Sequence, residues 1–213
     1  MELILQQMPI VVHSLNIGFM QTLKLFFVTL IGAFPLGLII AFGSMSRFRP
    51  LSYFTKVIVW VVRGTPLMIQ LLIIYYVIFQ SINTGKLFVA VIAFGLNSAA
   101  YVAEIVRSGI MAVDIGQFEA GRSLGLSYAQ TMTSVILPQA FKNTLPALCN
   151  EFISLLKETS ISGYIALVDL TKAGDIIRSN TYDAFMPLIY LVIVMILTAG
   201  VHCLERRLRS NER

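Results

Sequence analysis

The chain has 213 residues, of which 57% are hydrophobic and only 13% charged, with a mean hydropathy of +0.80 and a formal net charge of +5. A soluble domain carries roughly 25% charge, so this composition excludes a soluble, disordered or disulfide-stapled fold and specifies an all-α integral membrane protein. The basic residues form no nucleic-acid patch, and Cys149 and Cys203 lie in apolar surroundings without metal-ligand spacing, so both read as buried thiols.

The chain opens without the positive n-region of a cleavable signal, because Lys24 is the first basic residue and Glu2 the only earlier charge. The first span is therefore expected to stay in the protein. It reads as Leu25–Gly43, 19 uncharged residues. A second run, Val57–Phe79, has 23 residues and one charge, Arg63. Arg63-Gly64-Thr65-Pro66 interrupts it, since proline removes a backbone hydrogen bond and clashes with the preceding turn. The interruption predicts either a packing kink or a broken helix beside a substrate path. Leu87–Ala103 is the third run, 17 uncharged residues.

A long cytoplasmic loop follows, near 109–140. Within it Gln117–Leu124 predicts a short amphipathic helix stopped near Gly125, and Pro138 marks the approach to the next span. That fourth span, Asn143 to about Thr159, is weaker: it is expected to be broken by Pro146 and carries Glu151, Lys157 and Glu158. Met186–Leu204 is the fifth, 19 residues with His202 but no charge. About 20 residues cross a hydrocarbon core of roughly 30 Å, so five transmembrane helices and one membrane domain, 1–213, are expected. With the N-terminus outside, the inner segments hold ten of the 16 Lys and Arg residues and the outer ones four (Lys86, Lys157, Lys172, Arg178). This is the positive-inside pattern, and it places the C-terminus in the cytoplasm.

Polar residues inside spans are costly, about 2.5–3.5 kcal/mol for a central carboxylate on insertion scales. Glu151 and Glu158 are seven residues apart, within about 20° on one helix face and roughly 10.5 Å along it. Asn143, Ala147, Asn150 and Ser154 share that face; Leu145, Leu148, Phe152 and Leu155 lie opposite. A second stripe runs through Asn97, Tyr101, Glu104 and Ser108. Two polar-faced helices imply either a shared hydrophilic route or polar glue between helices. Glu104 and Arg107, at i and i+3, predict a local ion pair.

The chain has no G-x-x-x-x-G-K-[ST], H-E-x-x-H or G-x-S-x-G, and His13 and His202 are far apart. No catalytic residue, metal site or cofactor is therefore expected within it. A stand-alone channel or ion-coupled carrier using Glu151 and Glu158 is the alternative to a transporter subunit, but five spans are few for a carrier and the loop helix would then have no role.

That loop resembles the EAA signature of bacterial ABC importer permeases: Glu119, Ala120, Gly125, Leu137 and Pro138 stand at the signature's spacing. Gly121 replaces its third small residue, and Val135 stands at its Ile position. Thr22-Leu23-Lys24-Leu25, Arg63-Gly64-Thr65-Pro66-Leu67, Asn97-Ser98-Ala99-Ala100-Tyr101 and Lys157-Glu158-Thr159-Ser160 are similar to segments of the histidine/glutamine-type permeases for polar amino acids. The likeness covers roughly residues 18–207.

The resemblance implies a MetI-like type I importer permease with five transmembrane helices in the bacterial cytoplasmic membrane. It implies two partner ATP-binding subunits, which hold the ATP and Mg²⁺, a second permease subunit, and an extracytoplasmic solute-binding protein. An identical second permease is expected, giving a homodimer. Glu119, Ala120 and Gly125, with Gln117 and Arg122 beside them, then belong to the element that couples ATP hydrolysis to transport. The expected substrate contacts are Glu151, Ser154 and Glu158, with Asn97 and Tyr101 opposite and Gln70 just past the helix break. Carboxylates suit an ammonium or a cationic side chain, so a cationic amino acid is the expected cargo, with cystine as an alternative.

Overall fold

Apolar runs with no water at hand can close their backbone hydrogen bonds only as helices. Every regular element among the described residues of this computed structural model is helical. The structure describes residues 2–181 and helical positions 192, 195, 196, 199 and 200. The predicted fifth span, Met186–Leu204, lies almost wholly outside the described residues, as do Cys203 and Arg206–Arg213.

The elements are α1 (Glu2–Ser44), α2 (Arg49–Gly64), α3 (Leu67–Ile73) continuing into a π-helical turn (Ile74–Ile78), and α4 (Lys86–Met111). After them come α5 (Ile115–Ser123), then α6 (Tyr128–Thr131) running through a π-helical turn (Met132–Ile136) into α7 (Leu137–Glu158). A 3₁₀ segment (Thr159–Ile165) and α8 (Leu170–Thr181) complete the described chain.

Among the described residues two helices are long and apolar enough to cross a membrane, α1 from Val11 to Ser44 and α4. The first span is thus part of a longer helix than Leu25–Gly43, because the residues before Lys24 are also helical and apolar. The second run is not one continuous helix. α2 ends at Gly64, Thr65 and Pro66 are extended, and neither α2 nor α3 is by itself long and apolar enough to cross a membrane. Extension at Thr65 follows from the steric restriction that proline places on its predecessor. α7 has 22 residues but is not among the helices apolar enough to cross a membrane. The break expected at Pro146 does not occur, and α7 runs through it; a membrane helix tolerates the lost hydrogen bond when its neighbours satisfy the freed carbonyl.

The chain divides into two compact units. The first comprises Met1–Ile31, Pro66–Gly95 and Phe152–Arg213. Its core gathers Leu25, Leu71, Phe94, Leu155 and Ile165, all essentially inaccessible, around Ala90 and Ala93. Small residues admit this close approach, which is what favours helix association in lipid. α1 packs on α8 in the same way: a β-carbon at Gly18 would fall 2.8 Å from the Ala173 Cβ and the Asp169 carbonyl oxygen. One turn on, Thr22 Oγ1 accepts the Leu170 N–H at 3.0 Å.

Asp169 starts α8. Its carboxylate accepts the N–H groups of Lys172 (3.0 Å) and Thr171 (3.3 Å), satisfying donors that a helix N-terminus leaves open. The side chain is buried, and burial raises its pKa above the usual carboxylate value, partly offset by these backbone hydrogen bonds. A raised folded-state pKa contributes stability below the unfolded pKa and loses it as pH rises through the folded one. Asp169→Asn keeps the cap and removes the charge. It should therefore melt no lower than wild type at pH 7 and lose that pH dependence. Asp169→Ala should lose about 1 kcal/mol. Thermal unfolding of the solubilised chain at pH 4 and pH 7 measures both, and an Asn variant as unstable as the Ala variant would rule out the burial argument.

The second unit comprises Gly32–Thr65 and Leu96–Glu151. Its helices meet through Ala41, Val59, Ala100 and Ala103. A β-carbon at Gly37 would stand 2.7 Å from the Val102 side chain, so α1 and α4 touch there. The Ser52 hydroxyl donates to the Ser44 carbonyl at 2.6 Å and fixes the tight turn from α1 into α2.

Candidate functional site

The loop helix is built by local chemistry. The Asp114 side chain accepts the Gly116 N–H at 2.8 Å and starts α5. Gly125, at φ +79°, stops it in a conformation that an L side chain resists. Ser127 and Gln130 then form a reciprocal capping box that starts α6. The order Ser-x-x-Gln was legible in the sequence but went unused there.

Three contacts lock α5 to the helix behind it. Gly121 is buried against Thr131: a β-carbon there would lie 2.6 Å from Thr131 Cγ2 and 2.8 Å from Oγ1. Phe118 stacks on Tyr128 with centroids 6.5 Å apart. Gln139 Nε2 donates to Gln117 Oε1 at 3.4 Å and to the Val135 carbonyl at 3.0 Å. Beneath them Ile110, Val113, Ile136 and Ala140 form a buried cluster, against which Phe118, Val135 and Leu137 pack. The apolar positions of the signature, Val135 and Leu137, therefore hold the foot to the end of α4.

The outer face of this foot is open. Gln117, Glu119, Ala120, Arg122 and Gly125 are all exposed, as are Ile115 and Leu124. Met111, Ile115, Phe118 and Glu119 line part of a cleft of about 470 Å³. An exposed carboxylate and guanidinium beside apolar side chains, on a helix held from behind, can receive a partner surface and carry a push into α7.

The polar residues of the predicted stripes fall in separate units. In the second unit, Asn97 and Ser98 are buried on α4, and the Ser98 hydroxyl donates to Glu151 Oε1 of α7 at 2.8 Å. Tyr101, one turn beyond Asn97, lies under the Arg63 guanidinium, 5.1 Å from its ring centroid. Glu104 and Arg107 form the expected pair in bidentate form, at 2.6 and 2.9 Å, and Arg63 reaches Glu104 at 3.9 Å. In the first unit, Ser154 is exposed, while Glu158 and Gln70 are half-buried. Among the described residues no cluster of His, Cys, Asp or Glu has the makings of a metal site.

Ser98 and Arg63 are thus partners that the stripes alone did not supply. The hydroxyl next to Asn97 was the available signal for Ser98. For Arg63, nothing short of the fold places α2 beside α4 within this unit.

Comparison with known proteins adds to this geometry. Residues 33–210 match the family described as binding-protein-dependent transport system inner membrane component. The arginine transport system permease protein ArtQ of Bacillus subtilis (strain 168) is 40% identical, the match covering 97% of this chain and 95% of the relative. The L-cystine transport system permease protein TcyB of the same organism is 39% identical, over 90% of this chain and 85% of the relative. A crystal structure of an amino acid ABC transporter with histidines superposes with a TM-score of 0.87 at 43% identity, covering 95% of this chain and 97% of that one. An integral membrane, all-helical chain with a foot built on the EAA pattern, matched over most of its length, belongs to the binding-protein-dependent transport system inner membrane component family.

Proposed function

We propose that this chain is the permease subunit of an ATP-driven importer for a polar, cationic amino acid. The observation that carries the reading is the foot: α5, pinned from behind by Gly121 on Thr131, presents Glu119, Ala120 and Arg122 outward. Two separate ATPase subunits bind ATP and Mg²⁺ and dock on the feet of two permease subunits, taken here as identical. An extracytoplasmic binding protein delivers the cargo. The Lys and Arg asymmetry supports a bacterial cytoplasmic membrane setting with the N-terminus outside and the C-terminus inside.

Within the second unit, Glu151, Asn97 and Tyr101 are the proposed substrate contacts. Glu151 places a carboxyl group on a helix that continues from the foot, and the Ser98 hydroxyl donates to it at 2.8 Å. Gln70, Ser154 and Glu158 are proposed contacts in the first unit. The cargo class rests on these carboxylates and on the arginine-transporting relative.

Charge reversal at Glu119 tests the reading. In proteoliposomes containing the complete transporter, Glu119→Lys should lower ATP-driven arginine uptake at least tenfold and weaken retention of the ATPase on the permease. Glu119 is exposed and outside every core cluster, so the variant should fold normally. Wild-type uptake and retention together would show that α5 is not the docking element.

A further inference from the structure

Outside the foot and the carboxylate stripes, the second unit holds an open pocket of about 280 Å³ where α1 and α4 end. Ser44, the last residue of α1, lines it, as do Glu104 and Arg107 of α4 and Lys56, Trp60 and Arg63 of α2. The three α2 residues are spaced i, i+4, i+7 and so share one face. Three cations surround one carboxylate, and both oxygens of Glu104 are already held by Arg107. The pocket is therefore net cationic. Trp60 is 76% exposed at its edge. Beside this stripe α2 presents a second, wholly apolar one, in which Phe54, Val57 and Val61 are all exposed.

A basic pocket bordered by exposed apolar side chains and a tryptophan matches an amphiphile better than a soluble anion. Arg and Lys take a phosphodiester, tryptophan prefers the headgroup level, and the apolar stripe takes acyl chains. We propose that this pocket binds the headgroup of an anionic phospholipid, with Lys56 and Arg63 as its phosphate ligands. Each basic side chain near an anionic surface favours it by about fivefold (~1 kcal/mol), so the two together should give a preference of about 25-fold over a zwitterionic lipid.

The chain has one tryptophan, and it is Trp60, so its fluorescence reports the pocket directly. The full-length chain in nanodiscs is titrated with dibrominated phosphatidylglycerol or dibrominated phosphatidylcholine, both of which quench tryptophan on contact. The anionic lipid should quench at a mole fraction about 25-fold lower. Lys56→Gln should shrink that preference about fivefold, and Lys56→Gln with Arg63→Gln should abolish it. Lys142→Gln, an exposed cation outside the pocket, should leave it unchanged. Lys56 is exposed, so its single variant keeps the test informative even where loss of Arg63 disturbs Tyr101 and Glu104.

Equal quenching by the two lipids would overturn the proposal, as would an equal loss in Lys142→Gln. Quenching by neither would mean that a second copy of the chain covers this face. Release of the anionic lipid by millimolar inorganic phosphate would assign the pocket to a soluble anion instead.

Discussion

Gly121→Val is expected to cut substrate uptake by the assembled transporter at least tenfold, although residue 121 itself carries no functional group. A β-carbon at this position meets Thr131 Cγ2 at 2.6 Å and Oγ1 at 2.8 Å. Thr131 cannot simply turn aside, because its hydroxyl is bonded to the Ser127 carbonyl at 3.1 Å and the side chain is buried. Overpacking of this kind costs about 1–3 kcal/mol, and it is relieved by moving α5 away from the helix it drives. Gly121→Ala should show a milder form of the same defect. Thr131→Ala, introduced into Gly121→Ala, removes both clashing atoms and should restore uptake. That rescue separates a packing role from any chemistry at the foot; a Gly121→Val transporter with normal uptake would remove α5 from the coupling route.

Gly125 offers an instructive contrast. No atom lies within 4 Å of a β-carbon placed there, so its requirement is conformational: φ is +79°. A left-handed L residue costs roughly 1–2 kcal/mol and disturbs the stop signal rather than the contact. A bulky residue at Gly125 should therefore uncouple less completely than valine at Gly121.

Glu151→Gln is the second large effect. Replacing the carboxylate by an amide keeps the shape and a hydrogen bond from Ser98 while removing the charge that would meet a cationic cargo. Loss of one partner of a hydrogen-bonded charge pair formed with a bound cationic cargo costs about 2–5 kcal/mol, so kcat/KM for arginine uptake should fall by about two orders of magnitude. ATP hydrolysis by the partner subunits should persist, because Glu151 lies outside the foot. Ser98→Ala, which leaves the charge but frees its orientation, should cost only severalfold. Unchanged transport kinetics in Glu151→Gln would take this residue out of the substrate path.

Much of this was legible in the residues themselves. Composition alone placed the chain in a membrane, since so little charge cannot cover a soluble surface. Local spacing located the loop helix and its stop at Gly125, and it paired Glu104 with Arg107, because contacts three or four residues apart follow from helix geometry. The loop pattern, Glu119-Ala120 through Leu137-Pro138, led to the family. Proline was the less certain guide: Pro66 separates two helices, whereas Pro146 lies within a continuous one. The residue alone does not say which, since the outcome depends on what satisfies the freed carbonyl.

Tertiary structure decided the partnerships between residues distant in sequence. Ser98 reaches Glu151 across 53 positions, and the Leu170 N–H finds Thr22 across 148. Gly121 is required by Thr131, which the sequence shows only as one more polar residue in a loop. Periodicity states which face a residue occupies, but not what faces it. A one-dimensional pattern therefore determines the helices and the charged groups they carry, while close packing between helices selects which of those groups are held together.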